Sequence, residues 1–83
     1  MLEFRYDTQL LIEGEGLDED AINEYIRANF KGDSLLAVGD DELIKLHYHT
    51  NEPWKVLEYC ATLGEIYDIV AVSYTHLRAH ETC

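Results

Sequence analysis

Apolar and polar residues alternate at the start of the chain. From Phe4 to Ile12 the even positions carry side chains suited to a core, while Arg5, Asp7 and Gln9 lie between them. Successive side chains of a β-strand point to opposite faces of the sheet, so this alternation predicts a half-buried strand. Asp7 is then expected on the polar face of that strand.

The spacing of the apolar residues changes to a helical one after the Glu13–Gly16 turn. Between Asp18 and Lys31 they recur three or four positions apart, at Ala21, Ile22, Tyr25, Ile26 and Phe30. Asp18 suits an N-cap because its carboxylate can accept hydrogen bonds from the first backbone N–H groups. We therefore predict a first helix from Asp18 to Lys31, stopped by Gly32.

The middle of the chain reads as a β-hairpin. The short apolar run from Ser34 to Val38 predicts a buried strand, and an acidic Gly39–Asp41 turn follows it. The stretch Leu43–Asn51 is its expected partner. In that strand His47 and His49 point to the same face as Lys45, and the alternate residues face the core: Ile44, Leu46 and Tyr48.

A second helix and a last strand complete the pattern. Pro53 suits a first helical turn, where its missing N–H costs least. The apolar stripe that follows includes Trp54, predicted as a core or interface anchor, and Cys60, predicted as a packing residue. Gly64 ends this helix, and the β-branched residues between Glu65 and Val72 predict a strand.

The element order β-α-β-β-α-β predicts the α+β class and a ferredoxin-like fold. That fold is a four-stranded antiparallel sheet with both helices on one face.

We assign residues 1–72 to the domain. Residues 73–83 read SYTHLRAHETC, which resembles translated sequencing-adapter read-through, and we predict a non-native, weakly packed tail. Three tail residues with side chains that can bind metal are therefore excluded from the candidate sites: His76, His80 and Cys83.

Charge and composition limit the partners of the domain. The formal net charge of the 83 residues is −11, which argues against nucleic acid or an anionic membrane surface, since both favour clustered Lys and Arg. No apolar run reaches the ~20 residues of a membrane helix. With two cysteines and no signal-peptide pattern, we expect a cytoplasmic location and no membrane insertion.

The predicted sheet suggests one metal site. If the first and third strands are neighbours, Asp7, His47 and His49 share the face that lacks helices. Imidazole nitrogens and a carboxylate oxygen are ligands for zinc or a similar divalent ion, and three protein ligands leave a fourth position open. The alternative is a pair of solvent-facing strand histidines without a metal.

The acidic segment Asp40–Glu42 is interpreted as a solvated turn rather than as a calcium-binding site.

Three separated blocks resemble the middle domain of the bacterial fatty acid kinase A subunit. They are YDTQLLIEG from Tyr6, GDSLLAVGDD from Gly32, and KLHYHTNEP from Lys45 with VLEY from Val56. That family is related to the dihydroxyacetone kinases and carries a DAK2 or DhaL-like kinase domain. Its middle domain has a metal set at the positions of His47 and His49, with a cysteine where Asp7 stands here.

The resemblance implies that this chain is the central fragment of a larger kinase. In the family, an N-terminal helical domain binds ATP and magnesium, and a C-terminal domain engages the carrier protein that presents the fatty acid. The product would be an acyl phosphate. By this reading the chain itself holds no catalytic residue. Its expected partners are the two flanking domains, the fatty-acid carrier protein and, in a homodimer, a second copy.

Replacing a soft thiolate ligand by a carboxylate, a harder ligand, shifts the preference of the predicted site toward harder metal ions. Zinc remains the expected ion, while manganese or magnesium becomes more competitive. Two other functions stay open on the sequence: a structural interaction module without metal, and a small-ligand regulatory domain, a role that ferredoxin-like folds often take. The fold alone does not choose among them.

Overall fold

The computed structural model describes residues 4–73. In chain order they form β1 (Tyr6–Glu13), α1 (Glu19–Asn29), β2 (Gly32–Gly39), β3 (Leu43–Thr50), α2 (Pro53–Ala61) and β4 (Glu65–Ser73). The strands make one antiparallel sheet in the order β2-β3-β1-β4, so β1 and β3 are central. The predicted α+β, ferredoxin-like fold is confirmed.

The core lies between the sheet and the two helices. Both central strands contribute their predicted inner faces: Leu10 and Ile12 from β1, and Ile44, Leu46 and Tyr48 from β3. The helices contribute Ile22, Ile26, Val56 and Cys60. Because one face of each central strand is fully committed to this core, the other face is left for polar side chains. Neither helix in residues 4–73 is long and apolar enough to cross a membrane.

Helix α1 begins where the sequence predicts. The Asp18 carboxylate accepts hydrogen bonds from the backbone N–H groups of Asp20 and Ala21 at 3.0 and 3.2 Å. The C-terminal end differs from the prediction: the helix stops at Asn29, Phe30 is its extended C-cap, and Gly32 is the first residue of β2. Lys31 therefore belongs to the connection between helix and strand.

The β2–β3 hairpin turns through Asp40, as predicted. Its carboxylate accepts hydrogen bonds from the N–H groups of Glu42 and Leu43, both at 2.9 Å, and these bonds lower the pKa of Asp40. Gly39 precedes the turn with φ of 153°, and a Cβ there would collide with the backbone of Leu43. A glycine is therefore required at this position.

Strand β2 is an edge strand, and the prediction that it is buried was wrong. Only Ala37 is buried in it, while Leu36 and Val38 are 53% and 44% exposed. One extra residue interrupts its pairing with β3 near Ser34, which has φ of +56°. After this bulge Leu36 and Val38 lie on the outer face, while Leu35 and Ala37 alternate with them toward the core.

Two further expectations change at the C-terminal half. Trp54 is 59% exposed, so it is not a core anchor; the stripe of α2 that faces the sheet is Val56 and Cys60. Strand β4 extends one residue past Val72 to include Ser73. The rest of the predicted non-native tail lies outside the described residues.

Two buried threonines have different hydrogen-bond environments. The Thr50 hydroxyl donates to the Lys31 carbonyl at 2.9 Å and accepts from the Glu52 N–H at 3.2 Å. The Thr8 hydroxyl is equally buried and has no hydrogen-bond partner among residues 4–73. An unpaired buried hydroxyl costs free energy, whereas a paired one does not.

Thr8→Val is therefore expected to raise the free energy of unfolding by about 1 kcal/mol, because valine keeps the shape and removes the unpaired hydroxyl. Thr50→Val, the matched control, should lower it by about 1 to 2 kcal/mol, because it leaves the Lys31 carbonyl and the Glu52 N–H unpaired. Urea denaturation followed by circular dichroism measures both. Equal effects of the two substitutions would contradict this account.

Burial raises the pKa of the Cys60 thiol to about 12. The thiolate is the reactive form, so we expect Cys60 to resist a thiol reagent in the folded protein and to react after unfolding. Because the pKa of Cys60 is higher in the folded state than the ordinary 9.0, deprotonation of this thiol favours the unfolded chain. The free energy of unfolding is therefore unaffected by this group below pH 9 and falls as the pH rises toward 12.

The rate at which a thiol reagent labels Cys60 across this pH range measures its reactivity. A Cys83→Ser chain is used so that only one thiol remains. Rapid labelling of the folded protein at neutral pH would show that the prediction is wrong.

Candidate metal site

The central pair of strands brings the three predicted ligands to one place. In the β1–β3 register Asp7 lies opposite His49, and Gln9 lies opposite His47. Residues paired across an antiparallel sheet point to the same face, and diagonal neighbours are close enough for long side chains to meet. Asp7 therefore reaches both imidazoles from the neighbouring strand, on the face without helices.

The distances between the three side chains are short. The Asp7 Oδ1 atom lies 3.4 Å from His47 Nδ1 and 4.0 Å from His49 Nε2. The two Nε2 atoms are 2.8 Å apart. One donor atom from each residue lies within 4.8 Å of the others. The side chains are 19 to 28% exposed, so solvent can still reach them.

These separations match what a small divalent ion requires. Two ligands of a tetrahedral zinc, each ~2.0 Å from the metal, are separated by ~3.3 Å. With the two Nε2 atoms as donors, the observed separations are 2.8 Å between them and 4.0 Å from His49 Nε2 to Asp7 Oδ1, on both sides of that value. The 3.4 Å contact of Asp7 involves His47 Nδ1, which cannot bind the same ion as Nε2 of that ring. Binding an ion would require side-chain rotations that bring the three donor atoms to this spacing. The residues present therefore fit a metal, with Asp7, His47 and one nitrogen of His49 as its ligands.

The two imidazoles also constrain each other's protons. At 2.8 Å, one Nε2 must donate a hydrogen bond and the other must accept it. The Gln9 side-chain amide lies 3.4 Å from both oxygens of Asp7 and helps to hold the carboxylate in this position.

A second carboxylate, Asp33, was not predicted to belong to this site. In the sheet Asp33 pairs with His49 from the other side, and its Oδ1 lies 3.4 Å from His49 Nδ1. The predicted strand began at Ser34, so Asp33 lay just outside it. No sequence signal identifies the bulge at Ser34, and the bulge decides the face on which Asp33 lies.

The model of one protein family matches most of this chain. It describes the middle domain of proteins like the A subunit of fatty acid kinase, and the match covers residues 3–78. The matched segment contains all three candidate ligands as well as Asp33. It extends six residues beyond the domain boundary expected from the sequence.

Similar proteins occur in staphylococci. An uncharacterized protein of Staphylococcus haemolyticus strain JCSC1435 is 35% identical over 68 residues, which cover 78% of this chain and 12% of that protein. An uncharacterized protein of Staphylococcus aureus strain USA300 is 49% identical over 35 residues, which cover 42% of this chain and 6% of that protein. The chain thus spans about one-eighth or less of the length of these relatives.

Proposed function

This chain belongs to the FakA-like family of fatty acid kinase middle domains, and we propose that it connects a kinase domain to a carrier-binding domain in a longer protein. That protein would transfer the γ-phosphate of ATP to a carrier-bound fatty acid. ATP and magnesium would bind in the kinase domain. The chain spans 12% of the Staphylococcus haemolyticus relative, which leaves most of such a protein for other domains.

We further propose that the domain holds a divalent metal, zinc above all, on Asp7, His47 and His49. The observation that carries this proposal is the convergence of one carboxylate and two imidazoles from two adjacent strands. Bound there, the ion would act as a Lewis acid with one position open to an oxygen ligand. The strands supply the fixed placement of the side chains, and Gln9 supports the Asp7 carboxylate.

The placement of this site suggests how the domain serves the kinase. The three side chains lie on an open sheet face rather than in the core, so a neighbouring domain can approach them directly. A metal on this face could orient an acyl carboxylate brought by the carrier, or it could fix the neighbouring domain itself. In both cases the chain contributes ligands and position, and the phosphoryl-transfer residues lie elsewhere.

Zinc titration against a competing chromophoric chelator tests the metal site. The background chain carries His76→Ala, His80→Ala and Cys83→Ser, because those tail residues could bind zinc by themselves. We expect one zinc per chain, and at least about tenfold weaker binding after Asp7→Ala or His47→Ala. Lys45→Ala, on the same face of β3, is the control and should leave the affinity unchanged.

Asp7→Cys should strengthen zinc binding relative to manganese, because it replaces a hard ligand with a soft one. Substoichiometric zinc in the background chain would contradict the metal proposal. Equal affinities of the background chain and both alanine variants would contradict it as well.

A second candidate function, an interaction module without metal, is favoured by the apolar residues around the site. The pairing of the strands places Leu36, Val38, Tyr67 and Val70 on the same face as the histidines. They are 53, 44, 36 and 43% exposed. A neighbouring domain or a second copy that covers this face would remove that apolar surface from water.

Sedimentation velocity at increasing protein concentration tests the second-copy form of this function. Self-association through the open face should be weakened by Leu36→Asp and left unchanged by Trp54→Asp. Trp54 is similarly exposed but lies on helix α2. A chain that stays monomeric at every concentration would rule out the second copy.

A further inference from the structure

Asp33 lies beside His49 because of the bulge in β2. The pairing steps from Asp33 opposite His49 to Leu36 opposite His47, so three positions of β2 match two of β3. In a regular strand with Leu36 on the open face, Asp33 would point toward the helices, since their separation is an odd number of residues. The extra residue brings Asp33 to the open face instead.

The backbone around Asp33 is strained at Ser34 and is fixed by the contacts of the residues that precede it, Lys31 and Gly32. Ser34 adopts φ of +56°, a left-handed conformation that costs a residue with a side chain more than it costs glycine. Before Asp33, Gly32 packs so closely on Tyr48 and the His49 carbonyl that a Cβ would not fit. The Thr50 hydroxyl also holds the Lys31 carbonyl. Strain of this kind persists where surrounding contacts fix it, and it often accompanies a functional site.

The contact that results concerns one particular nitrogen of His49. Asp33 Oδ1 lies 3.4 Å from Nδ1, on the side of the ring away from the other candidate ligands. The negative charge of the Asp33 carboxylate favours an N–H at Nδ1 of His49 and disfavours a lone pair at that nitrogen. The lone pair is then on Nε2, which faces His47 Nε2 at 2.8 Å and Asp7 Oδ1 at 4.0 Å.

We propose that Asp33 is a positioning residue for the metal site: it orients the His49 ring and keeps the proton on Nδ1, so that Nε2 is the ligand atom. A carboxylate that accepts from the second nitrogen of a metal-binding histidine is a common supporting contact, and its loss costs about 10- to 100-fold in metal affinity. Asp33 is 61% exposed, so the lower end of that range is expected. The effect on metal affinity rests on the metal site proposed above.

Two readouts on Asp33→Ala, Asp33→Asn and Asp41→Ala test this role, in the same tail-substituted background. Nitrogen-15 NMR of the metal-free protein, at a pH above the ordinary imidazole pKa of ~6.5, reports which nitrogen of His49 carries the proton. Asp33→Ala should move that proton from Nδ1 toward Nε2. It should also weaken zinc binding about tenfold.

The other two variants separate hydrogen bonding from charge. Asp33→Asn keeps an acceptor oxygen and should restore most of the Nδ1 proton and of the zinc affinity. Asp41→Ala removes the same charge from the exposed hairpin turn and should change neither. An Asp33→Ala chain with the proton distribution of the parent would overturn the proposal. Absence of zinc binding in the parent would instead refute the metal site, while the NMR comparison still decides whether Asp33 positions His49.

Discussion

The antiparallel register of β1 against β3 is the constraint on which the rest of this domain depends. It is fixed by burial, because the inner faces of the two strands form the centre of the core. A slip of one residue would turn Leu46 outward and His47 inward. The same register that buries the aliphatic residues therefore presents Asp7, His47 and His49 together on the open face, and the fold and the candidate site have a single cause.

The two edge strands depart from regular geometry in the same way. Each contains one extra residue relative to its partner, and each has a residue with a side chain at positive φ, Ser34 in β2 and Asp68 in β4. Bulges of this kind twist an edge and discourage pairing with other chains. In β2 the bulge has the additional effect of placing Asp33 beside His49. The strain at Ser34 thus coincides with the candidate site, whereas the strain at Asp68 lies in the other edge strand.

The open sheet face combines two properties that are usually separate. Polar side chains capable of binding a metal lie at its centre, and exposed apolar side chains surround them on β2 and β4. A domain that covered this face would bury the apolar residues and restrict solvent access to the imidazoles at the same time. In the longer protein proposed above, such a face would couple contact between domains to the environment of the metal.

The sequence by itself determined the element order, the inner faces of β1 and β3 and the N-cap of α1, because each depends on local periodicity or on one side chain near its own backbone. Alternation, a local property, also placed His47 and His49 on one face of their strand and Asp7 on the polar face of β1, while their meeting depended on the strand order of a ferredoxin-like fold. Only the tertiary structure decided that β2 lies at an edge, that Trp54 is exposed and that Asp33 lies beside His49. The edge position of β2 depends on which strands become neighbours, the exposure of Trp54 on how α2 packs on the sheet, and the position of Asp33 on a single extra residue in the pairing. None of these leaves a local pattern in the sequence.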